Sequence, residues 1–187
     1  MKNMLKNRLA LSTVVTTLII LVVSVLLAGV VTYFAINVVS TRVEEESVIV
    51  QKQHVWCSED NTAAAAFMLT NTGGRDVVLS KIACRGQDSD IATEVFYAVA
   101  ETGDDLTMDL NYTAGVTIAA DDAVGDFTNA LALPAGTNIV LTSGSTIAVY
   151  INSPDSISVN DIGLTVALTV FTSQAMYYKE TNVEAIM

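Results

Sequence analysis

Apolar positions run unbroken by charge through residues 9–41, and beyond residue 47 they alternate with polar ones. The first stretch, LALSTVVTTLIILVVSVLLAGVVTYFAINVVST, is 33 residues long and reads as a helix of roughly 50 Å. A bilayer core of about 30 Å needs only about 20 apolar residues, and a secretory signal needs about 7 to 15. The stretch is therefore too long for a plain signal and longer than an anchor requires. Leu18–Leu27 is its most lipid-like part. A basic head (Lys2, Lys6, Arg8) precedes it and an acidic patch (Glu44, Glu45, Glu46) follows, so the chain beyond Arg42 is expected outside the cell. The helix is expected to reach Glu46.

Strand patterns fill the remainder. SVIVQKQHVWC (47–57), AAAFMLTN (64–71) and DVVLSKIAC (76–84), with a turn at Thr72-Gly73-Gly74, read as a meander. IATEVFYAVA (91–100) and DLNYTAGVTIA (109–119) follow. NIVLTSGSTIAVYI (138–151) reads as a hairpin with Ser143-Gly144 at its tip. In GLTVALTVFT (163–172), Leu164, Val166, Leu168 and Val170 alternate onto one face, and MYYKETNVEAI is a last strand. Seven to ten short strands behind one helix predict an α+β chain: a hydrophobic helix (11–46) followed by an antiparallel β-sandwich (47–187).

Charge is distributed as unevenly as hydropathy. All 20 acidic residues lie beyond residue 43, against six basic ones from Arg42 onward. Such a surface repels phosphate backbones and argues against nucleic acid as a partner. Two cysteines, Cys57 and Cys84, allow one bridge in an external compartment, worth about 3 kcal/mol in the chain-entropy model. The alternative is two buried free thiols.

Candidate chemistry is sparse. His54 is the one histidine, and His54 and Cys57 are three apart on a strand and point to opposite faces, which disfavours a metal site. No G-x-S-x-G elbow or Gly-rich phosphate loop is present, so no enzyme and no cofactor is expected. The acidic groups Asp88/Asp90, Asp104/Asp105 and Asp121/Asp122/Asp126 lack the EF-hand spacing. Trp56 and Phe67 are expected in the core. Asn111-Tyr112-Thr113 is the one N-x-[ST] sequon, making Asn111 a candidate glycosylation site.

The basic head followed by Ala10-Leu11-Ser12-Thr13-Val14-Val15 and the long apolar helix resembles the class III signal of archaeal type IV pilins and archaellins. The segments NTGGRDVVLSKIACRG (71–86) and NDIGLTVALTV (160–170) are similar to the β-domains of that group, so the sandwich is expected to be Ig-like or archaellin-like. The resemblance implies a leader (1–10) removed by a prepilin peptidase, the processing site spanning Arg8, Leu9, Ala10 and Leu11. Because Leu9 separates Arg8 from Ala10, the mature chain would begin at Leu11 or one residue earlier, at Ala10. It further implies a structural subunit of an extracellular filament used in adhesion, membrane-inserted as a precursor. Its partners would be copies of itself and the pilus assembly machinery. The alternatives are an archaellin of a motility filament and a single-pass anchored β-domain for binding.

Overall fold

The structure, a computed structural model, describes residues 2–43, 45–101, 106–107, 109–112 and 138–186, with the backbone alone at 2–10, 42 and 43. The chain divides into two compact units, 1–43 and 44–187.

The first unit is one helix, α1 (Lys2–Val43). Every described side chain from Leu11 to Thr41 is exposed. The interior hydroxyls turn back on the helix: Thr16, Ser24, Thr32, Ser40 and Thr41 each donate to the carbonyl four residues earlier, and Thr17 to that of Val14. The helix stops three residues short of the expected end at Glu46. Glu46 instead accepts hydrogen bonds from the Thr172 and Tyr177 hydroxyls, which commits it to the second unit.

That unit is mostly strand: β1 (Val48–Ser58), β2 (Ala63–Asn71), β3 (Val77–Cys84), β4 (Gln87–Ser89), β5 (Val95–Val99), β6 (Ile139–Leu141), β7 (Thr146–Asn152), β8 (Thr165–Thr172) and β9 (Met176–Ile186). All nine join one curled sheet in the order β4-β3-β8-β9-β1-β2-β7-β5, with β6 beside β3. This half-barrel replaces the expected sandwich of two sheets. The pairing is also not wholly antiparallel, because β1 runs parallel to β9.

Two local expectations fail, and they fail at one corner. Strand β2 pairs with β7 rather than β3, so β1–β3 is no meander, and β6 pairs with β3 rather than β7, so 138–151 is no hairpin. Asn71 joins the two turns involved. Its Nδ2 donates to the Arg75 and Leu141 carbonyls at 2.8 and 3.0 Å, and its Oδ1 accepts from Gly73 N–H at 2.9 Å. Its backbone N–H donates to the Ser145 carbonyl at 3.0 Å, and its carbonyl accepts from the Gly144 N–H at 2.9 Å. Gly73 is required here: a Cβ would meet the Glu45 carbonyl oxygen at 2.7 Å and the Ser47 nitrogen at 2.9 Å.

Strand alternation sorts the apolar residues into two clusters on opposite faces of β2. Ala63, Ala65, Phe67 and Leu69 join the larger one, with Val77, Leu79 and Ile82 of β3, Ile139 and Leu141 of β6, and Val166, Leu168 and Val170 of β8. The curl of the sheet thus closes it on its own inner face. Ala64, Ala66 and Met68 join the smaller cluster, with Trp56, Phe96, Ala98, Leu110, Ala148 and Tyr150. Trp56 and Phe67 are buried as expected, whereas Leu164, expected inside with Val166, precedes β8 and is exposed.

Candidate functional site

The most connected polar cluster grows from an irregularity in β1. Gln51 faces Met68 and His54 faces Ala66, so three steps on β1 match two on β2, and the extra residue makes a β-bulge. Lys52 takes a left-handed conformation there (φ 50°). The bulge reverses the alternation. Val48 and Val50 face the large cluster before it, and Val55 and Cys57 do so after it. Trp56 is left on the other face, with the His54 ring stacked on it at 5.2 Å and an interplanar angle of 6°. The sequence pattern gives no warning of this extra residue.

Both ring nitrogens of His54 meet carboxylates. Nε2 lies 2.9 Å from Asp109 Oδ1, and Nδ1 lies 3.2 Å from Glu184 Oε1. Glu184 arrives because the parallel β1–β9 pairing sets it opposite Trp56. Asp109 opens residues 109–112, which, with Leu106 before them, are attached at several points. The Lys52 ammonium donates to the Leu106 carbonyl, and the Tyr150 hydroxyl donates to the Asn111 carbonyl at 2.9 Å. The Tyr112 ring meets Trp56 edge-on at 6.0 Å. Leu110 is buried in the smaller cluster.

Burial disfavours the charged imidazole, but hydrogen bonds and charges from Asp109 and Glu184 outweigh it, and the His54 pKa is raised above its ordinary value. Burial likewise works to raise the Asp109 pKa, yet the bonds from His54 and Leu110 N–H bring it below the usual carboxylate value. The arrangement holds a proton. With a carboxylate on each ring nitrogen, neither nitrogen is turned to a hydroxyl nucleophile or left as an open metal ligand. Among the described residues no group of three or more His, Cys, Asp or Glu is placed to hold a metal ion.

A second polar cluster fastens a loop. Arg85 Nη1 donates to Asp161 Oδ1 at 2.6 Å and to the Ser156 carbonyl at 3.2 Å. Asp161 Oδ2 accepts from the Ser158 N–H and hydroxyl at 2.9 and 2.8 Å. These Ser158 bonds, followed by Arg85, lower the Asp161 pKa. A polar hollow of about 280 Å³ lies between Ser80, Lys81, Ser89, Asp90 and Asn138.

The sites expected from sequence are scattered. Cys57 and Cys84 are buried free thiols rather than a bridge. Cys57 stands one residue before the end of β1 and Cys84 ends β3, and β9 and β8 stand between those strands in the sheet. Burial pushes the Cys84 thiol up to about 11. The Asn111 side chain is exposed, while Thr113 of its sequon lies outside the described residues. Asp88 pairs with Lys81 at 2.7 Å, and Asp90 accepts from Ala92 N–H and the Thr93 hydroxyl within its own turn. Asp104, Asp105, Asp121, Asp122 and Asp126 lie outside the described residues, as do the side chains of Arg8, Leu9 and Ala10. Leu11 is exposed on α1. Sequence reasoning missed the grouping of His54 with Asp109 and Glu184, which are 55 and 130 residues away along the chain.

No protein-family profile and no curated protein matches the chain. Among solved structures it is similar to one entitled "apo PmoF2 PCuAC domain", at 14% identity and a TM-score of 0.42, over 76% of this chain and 95% of that one. The filament-subunit expectation, in its pilin and archaellin forms, is set aside: the structure named here is a PCuAC domain and not a filament protein. So distant a likeness carries no argument about what this chain binds.

Proposed function

We propose that this chain is a single-pass membrane protein that presents an acidic β-domain beyond the membrane as a non-catalytic binding module. One observation carries the reading. From Leu11 to Thr41 the chain is one uncharged helix, 31 residues long, with none of its apolar side chains buried in the described structure. A helix that is apolar all round needs a lipid or protein environment. The hydroxyls of Thr16, Thr17, Ser24, Thr32, Ser40 and Thr41 are already paired with the helix's own carbonyls, so lipid leaves those donors satisfied. The surplus over about 20 residues is accommodated by tilt. Lys2, Lys6 and Arg8 keep the N-terminus cytoplasmic. On the far side, the excess of acidic residues favours a partner with a cationic surface.

The test is the state of the native protein in its membrane fraction. Retention through alkaline carbonate extraction, with an N-terminus at Met1, Ala10 or Leu11, supports the anchor. An N-terminus beyond residue 30, or release by carbonate, overturns it. Leu21→Lys places a charge near the middle of the span and costs insertion about 3 kcal/mol. A glycosylation-reporter insertion assay should show a clear fall in the inserted fraction.

A further inference from the structure

We propose that His54 is a pH-sensitive latch that fastens residues 109–112 over Trp56 when the imidazole is protonated and loosens them when the ring is neutral. The argument starts from hydrogen-bond inventory. A neutral imidazole has one N–H and one bare lone pair, and only the imidazolium donates from both nitrogens. Here the two nitrogens face two carboxylates, at 2.9 and 3.2 Å, from two different parts of the chain. Both contacts are favourable only in the charged state. After deprotonation one carboxylate faces a lone pair, and Asp109 and Glu184 lose the positive charge between them.

A neighbouring cation adds positive charge on the Asp109 side. On β1, Lys52 reaches the Leu106 carbonyl and acts on Asp109 from the side. From the segment come Asp109 and Tyr112, from β9 comes Glu184, and from β7 comes the Tyr150 hydroxyl, which donates to Asn111. Burial raises the pKa of both tyrosines, so they stay neutral through the range in which the latch works. Strands β2 and β5 add the apolar Ala64, Ala66, Met68, Phe96 and Ala98 to this face. His54 is the group positioned to change the balance between mildly acidic and mildly alkaline conditions.

The direction follows from linkage. A histidine whose folded pKa is raised stabilises the closed form fully below its ordinary value of 6.5, and that contribution is lost as pH rises through the folded value. Asp109, held below its ordinary 3.8, sets the lower limit, because the latch fails once this carboxylate takes up a proton. The segment is therefore closed on the mildly acidic side and released on the alkaline side.

The sequence supplies its own probes, one tryptophan and one histidine. The full chain in detergent micelles or nanodiscs is titrated from pH 4.5 to 9. The His54 ring resonances and acrylamide quenching of Trp56 fluorescence are followed together. The expected result is a His54 midpoint above 6.5 and a several-fold rise in the Trp56 quenching constant on the alkaline side, with the same midpoint. Asp109→Asn and Glu184→Gln should each move the midpoint down, and His54→Gln should abolish the Trp56 transition. If His54→Gln does not fold, the two carboxylate variants still decide the matter. Quenching that stays flat while His54 titrates, that rises on the acid side instead, or whose midpoint ignores both carboxylates overturns the proposal.

Discussion

The two faces of strand β2 are both apolar and are held in different ways. On one, Ala63, Ala65, Phe67 and Leu69 pack against β3, β6 and β8, which the curl of the sheet brings over them. The burial of large apolar groups dominates there, at about 1.5–3 kcal/mol per side chain, and the polar tie is the uncharged Asn71 amide at the end of the strand. On the other, Ala64, Ala66 and Met68 are joined by Trp56, Leu110 and Tyr150, and the covering segment is tied down by Lys52, His54 and Tyr150. The first face is closed by a sheet folding on itself, the second by a piece of chain pinned through hydrogen bonds and charge. Polar fastenings respond to protonation, and aliphatic packing does not. The comparison therefore locates pH sensitivity on the second face.

The sharpest way to break this contrast is to empty the first face. Phe67→Ala removes a fully buried ring and should cost about 3–5 kcal/mol, read as an early urea midpoint in the detergent-solubilised chain. A loss as small as one from the covering segment would mean the inner face does not dominate stability. Next in size is the corner that lets the sheet curl. Gly73→Ala forces a methyl against the Glu45 carbonyl and Ser47 nitrogen and should cost roughly 1–3 kcal/mol by the same measurement. Tyr150→Phe keeps the buried ring and deletes one donor to Asn111, for about 1 kcal/mol. Its loss should appear also as faster amide exchange at 110–112, with β2 and β7 unchanged. Smallest is Lys81→Ala, which breaks an exposed pair with Asp88. It should change stability by less than about 1 kcal/mol, and still less in high salt.

How much of this was legible in the sequence differs element by element. Strands β1, β2, β3, β8 and β9 stand within a residue or two of where the apolar pattern placed them, because hydrophobic patterning is a local property, although β2 buries both of its faces. Their partners were not legible. The Thr72-Gly73-Gly74 and Ser143-Gly144 turns are real, but each leads to a different part of the sheet, since Asn71 binds the two turns to one another. Turn chemistry specifies that a chain bends, and long-range packing decides what it bends toward. Strand β4, three residues with two of them exposed, has too little hydrophobic pattern to be seen. His54 was visible as a solitary histidine, read as packed or exposed on a strand. Its carboxylates come from a loop and from the last strand, and no spacing in the sequence relates them.

The uncharged helix with its basic head, the acidic and strand-rich remainder, and the opposite faces of His54 and Cys57 were determined by the sequence alone. Each rests on composition or on a two- or 3.6-residue period. Tertiary structure alone decided the single curled sheet, the parallel β1–β9 pair, the two strands standing between those of Cys57 and Cys84, and the meeting of His54 with Asp109 and Glu184. These depend on which distant segments lower the free energy by packing together, and contacts between residues far apart in the chain leave no periodic trace in it.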